Sequence, residues 1–531
     1  MTSRWGASWT TVQRLRDDLP LRRDEPFSWL LTLIVTTIAF GIRFPRLGQP
    51  PEIAFDEAHY VKEAWSVLHF GYAREWPDNV TELINAGTPG DPLDQAAFVV
   101  HPMVAKWLIA AGEWIFGLTP FGWRFAALIF GCLLIAATTR LARRLARSSL
   151  IGALAGLLLA IDGLAVTMSR IALLDIFQAF FTVTAVALLI RDRDWFRERL
   201  ATHLEHHHLT NLQGNFGPLL WWRPWRLGAG ITFGLAIGCK WNSLYVLAVA
   251  GLAGVAFDWQ ARRTAGARTT AWLSLACDAT SAFCHLVITA AGTYLATWAS
   301  WFASSDGTDG TQGGYFRDWG VNNPDAASVH RFGKALASWW HYQVDIWQFH
   351  TGDFMASQTH GWAAHPLGWI IIAKPTLFAT EYDIASGVDG CRAGVDGSCM
   401  RAVMATGTPF LWWFAAIAFV AGLVFWIAGR DWRFAVPILA MSATWLGWLP
   451  NSDRPVFFFY AIMMVPFTVT ILAMCLGKII GPPSSGRKRR RGTIIAASAV
   501  LIVLATFAFI YPIITYEVID RSSWVARIWF G

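Results

Sequence analysis

The chain has 531 residues, of which 55% are hydrophobic, only 15% are charged and 31 are tryptophan. A soluble protein of this size carries about a quarter charged residues, so the composition excludes an ordinary soluble enzyme and indicates a chain that crosses the membrane many times. The formal net charge of +7 does not indicate nucleic-acid binding. The basic residues lie in short clusters between apolar runs, as in cytoplasmic loops that face anionic lipid.

Eleven apolar segments are predicted to span the membrane, because most approach the roughly 20 residues that a crossing helix needs. A cytoplasmic lead, residues 1–27, precedes them and contains Arg14, Arg16, Arg22 and Arg23. The predicted spans lie at about 28–46, 122–143, 149–168, 171–190, 226–240, 242–258, 273–301, 409–429, 433–449, 455–478 and 493–515.

A further apolar segment, residues 98–117, decides the predicted topology. If it spanned, the basic clusters at 140–147, 191–199 and 487–491 would all lie outside, against the positive-inside tendency. His101, Lys106 and Glu113 also suit a helix in the membrane interface better than a span. We therefore predict an interfacial helix here, with the N-terminus of the chain inside and its C-terminus outside.

This topology predicts the organisation of the remaining chain. Residues 28–302 form a transmembrane catalytic module that includes an outer loop at 47–121. Residues 303–408 form a large extracytoplasmic loop with amphipathic helices, residues 409–515 the C-terminal transmembrane helices, and residues 516–531 an extracytoplasmic tail. Cys391 and Cys399 lie in a polar part of the large loop, and an extracytoplasmic position predicts a disulfide between them.

Two adjacent carboxylates, Asp56 and Glu57, follow the first span in an apolar and aromatic setting. Such acids are costly at the mouth of a hydrophobic span unless they are solvated, paired or used. The simplest interpretation is that Asp56 caps an amphipathic helix over about 57–68. A functional pair is the alternative, and the two roles are compatible.

The predicted topology places further unusual polar residues on the same side as the acid pair. Each has an individual explanation: Arg124 could snorkel, Arg454 could pair with Asp453, and Asp175 could pair with Arg170. Together they are better explained by one polar cavity at the outer leaflet. The set comprises Arg124, Asp175, Lys240, Arg454, His101 and Lys106.

A cavity with carboxylates and fixed cations at the lipid boundary suits an anionic lipid substrate such as a lipid-linked phosphosugar. Its phosphate leaving group needs Arg or Lys to stabilise developing charge, and an acceptor hydroxyl needs one carboxylate to take its proton. A phosphate leaves without protonation, so no second carboxylic acid is needed, unlike in glycosidases. Direct displacement would invert the anomeric centre.

Five motifs carry a family resemblance that runs through most of the chain. They are RFPRLGQPPEIAFDEAHY at 43–60, VHPMVAKWLIAAGEWIFG at 100–117, GWRFAALIFG at 122–131, SRIALLDIFQAFF at 169–181 and GLAIGCKWNSLY at 234–245. With them the chain resembles the protein O-mannosyltransferase family, membrane glycosyltransferases of the GT-C class. It is most similar to the actinobacterial branch, which uses polyprenyl-phosphate-mannose.

The resemblance implies an all-α GT-C fold and a role for each matching residue. Asp56 would be the catalytic base for a Ser or Thr hydroxyl, and Glu57 would position the acceptor or substrate. Arg124 and Lys240 would serve the donor phosphate or structural pairing, and Asp175 matches the LLD aspartate. With them we group His101, Lys106 and Arg454 as candidate donor-binding residues. The chain reads His-Pro-Met at 101–103 where many relatives have His-Pro-Pro.

The implied activity is transfer of mannose to Ser/Thr hydroxyls of secreted or membrane proteins at the outer face of the cell membrane. The expected partners are the polyprenyl-phosphate-mannose donor, the acceptor proteins, the bilayer and the protein export machinery, without nucleic acid. No pattern requires a metal or other cofactor, and a divalent-metal requirement stays open. One alternative is another GT-C transferase with a lipid or polysaccharide acceptor. A transporter is disfavoured because the polar residues gather at one face and no inverted repeat is present.

Overall fold

The computed structural model describes residues 10–17, 19, 25–393 and 397–529. Arg22 and Arg23 of the predicted cytoplasmic lead lie outside the described residues. The helices are α1 (Thr11–Arg16), α2 (Glu25–Arg43), α3 (Glu57–Phe70), α4 (Val80–Asn85), α5 (Val104–Phe116), α6 (Pro120–Ala146), α7 (Ser149–Ala160), α8 (Gly163–Met168), α9 (Asp175–His206), α10 (Pro224–Cys239), α11 (Ser243–Ala265), α12 (Cys277–Ala282), α13 (Thr289–Ala296), α14 (Ala299–Ala303), α15 (Trp319–Asn322), α16 (Ala327–Thr351), α17 (Asp353–Ala356), α18 (Pro409–Ile427), α19 (Trp432–Leu446), α20 (Val465–Ile480), α21 (Gly486–Ile514) and α22 (Arg521–Val525).

Shorter helical turns connect several of these helices. A π-helical segment, Phe283–Ile288, joins α12 to α13, so the predicted span at 273–301 is a series of helical pieces rather than one regular helix. The 3₁₀ segments are Arg268–Leu275, Pro366–Ile371, Leu449–Asn451, Phe458–Met463 and Pro483–Ser485.

Six helical stretches in the described part of the chain are long and apolar enough to cross a membrane, and two shorter apolar helices accompany them. The segments predicted to span at 226–240 and 433–449 fall in α10 and α19, which have only 16 and 15 residues. A multi-pass membrane protein therefore follows directly from the helices. The six stretches are Glu25–Arg43, Pro120–Ala146, Ser243–Ala265, Arg268–Ala296, Pro409–Ile427 and Pro483–Ile514.

Helix α5 lies in the segment predicted to be interfacial. It has 13 residues, fewer than the roughly 20 that a crossing needs, and it packs against α3 and α6. A Cβ on Gly112 would lie 2.3 Å from the carbonyl oxygen of Gly122. Only glycine at position 112 lets α5 approach the start of α6 this closely, and this contact positions the first turns of α6.

The prediction of an all-α chain is wrong within the large loop, residues 303–408, and the tail, where three antiparallel strands form a small sheet in the order β1-β2-β3. They are β1 (Thr376–Ala385), β2 (Ser398–Ala405) and β3 (Ile519–Asp520). Cys391 and Cys399 form a disulfide within the β1–β2 hairpin, and β3 pairs with β2 beside Cys399. β1 and β2 have 10 and 8 residues and flank a Gly- and Asp-rich turn, in a region for which the sequence predicted amphipathic helices.

The core lies among α6, α7, α9 and α20. At one end of this bundle, the loops at 44–56, 169–174, 240–242 and 450–457 meet beneath the large loop. Helix α16 of that loop is anchored by the Tyr342 hydroxyl, which bonds with the backbone of Val99. The helix is broken at Gly333; Trp340 and Trp347 are exposed after the break and Phe332 before it, a pattern typical of helices at a membrane surface.

Candidate active site

Buried arginines hold the loop that carries the acid pair. Arg170, which follows α8, donates hydrogen bonds to the carbonyl oxygens of Pro45 at 2.6 Å and Arg46 at 2.8 Å. From α6, Arg124 donates to the carbonyl oxygen of Pro50 at 2.6 Å. These bonds connect the loop backbone to α6 and to the connection between α8 and α9, so the position of the acid pair is determined by the core.

Glu57 and Arg124 form a two-bond ion pair inside the protein. Arg124 Nε lies 2.8 Å from Glu57 Oε1 and Nη2 lies 2.7 Å from Oε2, and both side chains are 0% exposed. Glu57 also accepts the backbone N–H groups of Ala54 and Ala172, each at 2.9 Å. The carboxylate of Glu57 is thus fully used in pairing, and so is the Arg124 charge.

Phe55 determines how Asp56 enters the site. Its φ of 53° lies in the left-handed region, which costs on the order of 1–3 kcal/mol for a residue other than glycine. Packing of the ring offsets this cost, because the ring lies inside an aromatic cluster. The centroid of the Phe55 ring lies 5.1 Å from that of Phe378, 5.6 Å from Phe457, 5.7 Å from Phe459 and 5.8 Å from His360.

The Asp56 carboxylate is partly exposed and, among the described residues, receives no hydrogen bond. The predicted cap is wrong in this respect: Asp56 occupies the N-cap position of α3 but makes no side-chain cap bond. Burial raises the pKa of Asp56, and the nearby Asp175 carboxylate raises it further, whereas Lys240, His59 and His360 lower it. Asp56 is therefore a carboxylate without a hydrogen-bond partner among the described residues, and it has a raised pKa and interacts electrostatically with Lys240.

Lys240 and Asp175 form the second buried ion pair of the site. Lys240 Nζ lies 3.0 and 3.1 Å from the two carboxylate oxygens of Asp175 and 4.3 Å from the ring centre of Tyr460. Gln178 donates a hydrogen bond to the Lys240 carbonyl oxygen at 2.8 Å, which holds the turn between α10 and α11. Asp175 thus pairs with Lys240, not with Arg170 as one interpretation of the sequence had it.

Lys106 is buried next to His101 and is bonded within the protein. Its ammonium group donates to the carbonyl oxygen of His101 at 2.7 Å and lies 3.0 Å from the Glu63 carboxylate, with no exposed surface. The His101 ring stacks on His350 with centroids 5.1 Å apart. Burial, reinforced by the positive charge of Lys240, holds the pKa of His101 well below its usual value, so its imidazole is neutral.

His350 of α16, which is not among the residues predicted from the sequence, holds Arg454. Arg454 Nη1 lies 3.2 Å from His350 Nδ1 and 3.1 Å from its carbonyl oxygen, and these contacts replace the suggested pair with Asp453. The other ring nitrogen of His350 lies 2.9 Å from the Val100 carbonyl oxygen. A neutral His350 protonated at Nε2 satisfies both contacts. Arg454 Nε is buried without a hydrogen-bond partner.

The eight polar residues predicted from the sequence thus belong to one cluster, but they differ in what they can still bind. The groups of Glu57, Arg124 and Lys106 are consumed by pairing within the protein. Asp56 and Arg454 keep unpaired polar atoms, and Lys240 acts electrostatically on Asp56 although it is paired. The described residues contain no group of three metal-ligating side chains.

Comparisons with known proteins give the family of the chain. The family model described as dolichyl-phosphate-mannose-protein mannosyltransferase matches residues 33–302. The polyprenol-phosphate-mannose–protein mannosyltransferase of Mycobacterium tuberculosis is 37% identical over 95% of this chain and 92% of its own length. The protein of the same name from Corynebacterium glutamicum is 34% identical over 96% and 93%.

The fold agrees as well. The donor-bound protein O-mannosyltransferase Pmt1-Pmt2 complex of Saccharomyces cerevisiae has a TM-score of 0.65 to this chain at 12% identity, covering 95% of this chain and 92% of the other. The relatives and the fold define a membrane glycosyltransferase of the GT-C class. The chain belongs to the dolichyl-phosphate-mannose-protein mannosyltransferase family, which confirms the resemblance drawn from its motifs.

The different environments of the two acids predict that neutralising them has different effects on the stability of the protein. Glu57→Gln leaves Arg124 buried without its charge partner and should lower the free energy of unfolding by about 3–5 kcal/mol. Asp56→Asn removes a carboxylate whose raised pKa disfavours the folded state above the pKa of an unfolded aspartate, so stability at pH 7 should be unchanged or higher. Thermal unfolding of the purified variants in detergent measures both. Equal destabilisation by the two substitutions would contradict the assignment.

Proposed function

We propose that this chain transfers mannose from a polyprenyl-phosphate-mannose donor to Ser or Thr hydroxyls of secreted or membrane proteins. The observation that carries the proposal is the unbonded Asp56 carboxylate beside Lys240, in a chain whose near full-length relatives bear the names of such enzymes. The reaction takes place at the outer face of the cytoplasmic membrane. Because secreted acceptors reach this face by export, the chain is linked to the protein export machinery.

The proposed topology has eleven crossings, a cytoplasmic N-terminus and an extracytoplasmic site. Its support is the distribution of basic residues, since the clusters at 140–147, 191–199 and 487–491 then all face the cytoplasm. The disulfide between Cys391 and Cys399 is consistent with an outer, oxidising side for the large loop. The 13-residue α5 serves as an interfacial helix in this arrangement.

Asp56 acts as the general base. Its carboxylate takes the proton of the acceptor hydroxyl while the hydroxyl oxygen forms a bond to C1 of the mannose. The bond between C1 and the phosphate oxygen breaks at the same time, and its electron pair leaves with the phosphate. Attack occurs on the side opposite the leaving group, so the configuration at C1 is inverted. Glu57 contributes by holding the loop, through Arg124, rather than by contacting the substrate.

Arg454 and Lys240 are the proposed partners of the donor phosphate. Arg454 offers a buried Nε without a partner, and bonds between an ionised donor and a phosphate are stronger than neutral ones. Neutral His101, which lies within the electrostatic reach of both cations, can donate a further hydrogen bond. These groups stabilise the charge that develops on the leaving phosphate, so no acid is required to protonate it.

Replacing the base should strongly slow mannosyl transfer without weakening donor binding. We expect Asp56→Asn to lower the rate of mannosyl transfer to a Ser/Thr peptide by about 10²–10⁴-fold, because a positioned base contributes about this much. Donor binding should be retained because the phosphate-binding cations are unchanged. Transfer in proteoliposomes and retention of the lipid donor measure the two effects.

The matched control is Asp78→Asn, which neutralises an exposed aspartate of the same outer loop and should transfer at the wild-type rate. A near-normal rate in Asp56→Asn would refute the proposed base. Transfer to a lipid or polysaccharide acceptor instead of the peptide would refute the proposed acceptor class while leaving the base intact.

Removing the Arg454 charge should weaken use of the donor. We expect Arg454→Gln to lower kcat/KM for the lipid donor by about 10²–10³-fold, the loss typical of one transition-state hydrogen-bond donor. The KM for the acceptor peptide should stay unchanged. Arg331→Gln, at an exposed arginine of α16, is the control. An equal change in both KM values would mean that Arg454 only maintains the fold.

A further inference from the structure

A second buried ionic cluster lies at the end of the bundle opposite Asp56. Arg223 and Arg226, at the start of α10, each pair with Asp192 of α9 and Asp258 of α11 at N–O distances of 2.6 to 3.1 Å. All four side chains are at most 1% exposed. Asp192 follows Asp175 by 17 residues on α9, a distance of about 25 Å along the helix, so this cluster is separate from the proposed active site.

One cationic N–H of this cluster has no acceptor among the described residues. Within the cluster two arginines face two aspartates, so these charges balance. Arg226 Nη1 is nevertheless buried and has no hydrogen-bond partner in the described part of the chain. A buried cationic N–H without an acceptor is costly, and an acceptor oxygen of a ligand would satisfy this atom.

A cavity adjoins the cluster between α9, α11 and α19. It extends along α11 from Val246 to Asp258, which is about 18 Å at the rise of an α-helix. Four charged residues, Asp192, Arg193, Arg226 and Asp258, lie at one end, and the rest of the lining is apolar. The apolar wall includes Leu189, Ile190, Val249, Ala250, Ala253 and Leu439.

We propose that this cavity binds one acyl chain of an anionic phospholipid, whose phosphate accepts a hydrogen bond from Arg226 Nη1. The long apolar wall fits a hydrocarbon chain, and the unpaired cationic atom at its end fits a phosphate. The position of this end of the cavity in the membrane also fits a lipid headgroup. The guanidinium group of Arg191 lies 3.4 Å from the ring centre of Trp225, and that of Arg193 lies 3.6 Å from the ring centre of Trp432. Such residues are typical of the headgroup level.

The phospholipid belongs to the leaflet opposite Asp56, which is the cytoplasmic leaflet in the proposed orientation and the one rich in anionic lipid. The separation of about 25 Å from Asp175 approaches the roughly 30 Å thickness of the hydrocarbon core. A polyprenyl phosphate engaged at the Asp56 site therefore has its phosphate in the other leaflet. The site is distinct from that of the donor and does not depend on the proposed transfer reaction.

The test uses the full-length protein, stripped of lipid in detergent and titrated with dioleoylphosphatidylglycerol under native mass spectrometry. We expect one tightly held lipid per chain and a higher thermal unfolding midpoint when it is bound. Dioleoylphosphatidylcholine should bind at least tenfold more weakly, because its headgroup carries no net charge. Equal binding of the two phospholipids would overturn the proposal.

Two substitutions on α11 provide a matched comparison. Ala253→Phe fills the cavity, whereas Ala256→Phe makes the same change at an exposed position three residues away. Ala253→Phe should lose the bound lipid at least tenfold, and Ala256→Phe should retain it. Ala250→Leu adds less volume to the same wall and serves if Ala253→Phe does not fold. Equal lipid retention by cavity-filling and exposed variants would overturn the proposal.

Discussion

The structure of the site depends on the buried ion pair between Glu57 and Arg124. The pair connects the acid-bearing loop to α6, and Arg124 at the same time holds the backbone of that loop at Pro50. The peptide N–H of Ala172 bonds to the same carboxylate, so three chain segments meet at one group. Such a pair adds little net stability over apolar packing, but losing one partner is costly. It therefore acts chiefly by determining geometry.

This constraint explains how two adjacent acids can have different roles. Helical geometry turns the Glu57 side chain inward to Arg124, and Phe55, anchored by its aromatic neighbours, leaves the Asp56 carboxylate without a hydrogen-bond partner among the described residues. One carboxylate is thereby saturated with donors, and the other keeps its basicity beside Lys240. A single base with a neighbouring cation is what inverting transfer from a lipid phosphate requires, since the leaving group needs charge stabilisation but no proton.

The family, the helical membrane class and the clustering of the polar residues were predictable from motifs and loop charges. Which of those residues remain available was not, because the pairings join distant positions: Glu57 with Arg124 is 67 residues apart and Asp175 with Lys240 is 65. The role of His350 in holding Arg454 likewise had no spacing signal. In the small sheet, only the pairing of β2 with β3 in the tail is non-local, whereas β1 and β2 form a local hairpin. The predicted eleven crossings exceed the six stretches that helix length supports among the described residues.

The pH dependence of mannosyl transfer tests the central claim, that Asp56 is an unpaired base with a raised pKa. The active form is the ionised carboxylate, so the rate should fall as the pH drops through a midpoint above the roughly 3.9 of an ordinary aspartate. Lys240→Met removes a charge that lowers the pKa of Asp56 and should move this midpoint to higher pH. A midpoint at the ordinary value that Lys240→Met leaves unchanged would contradict the account.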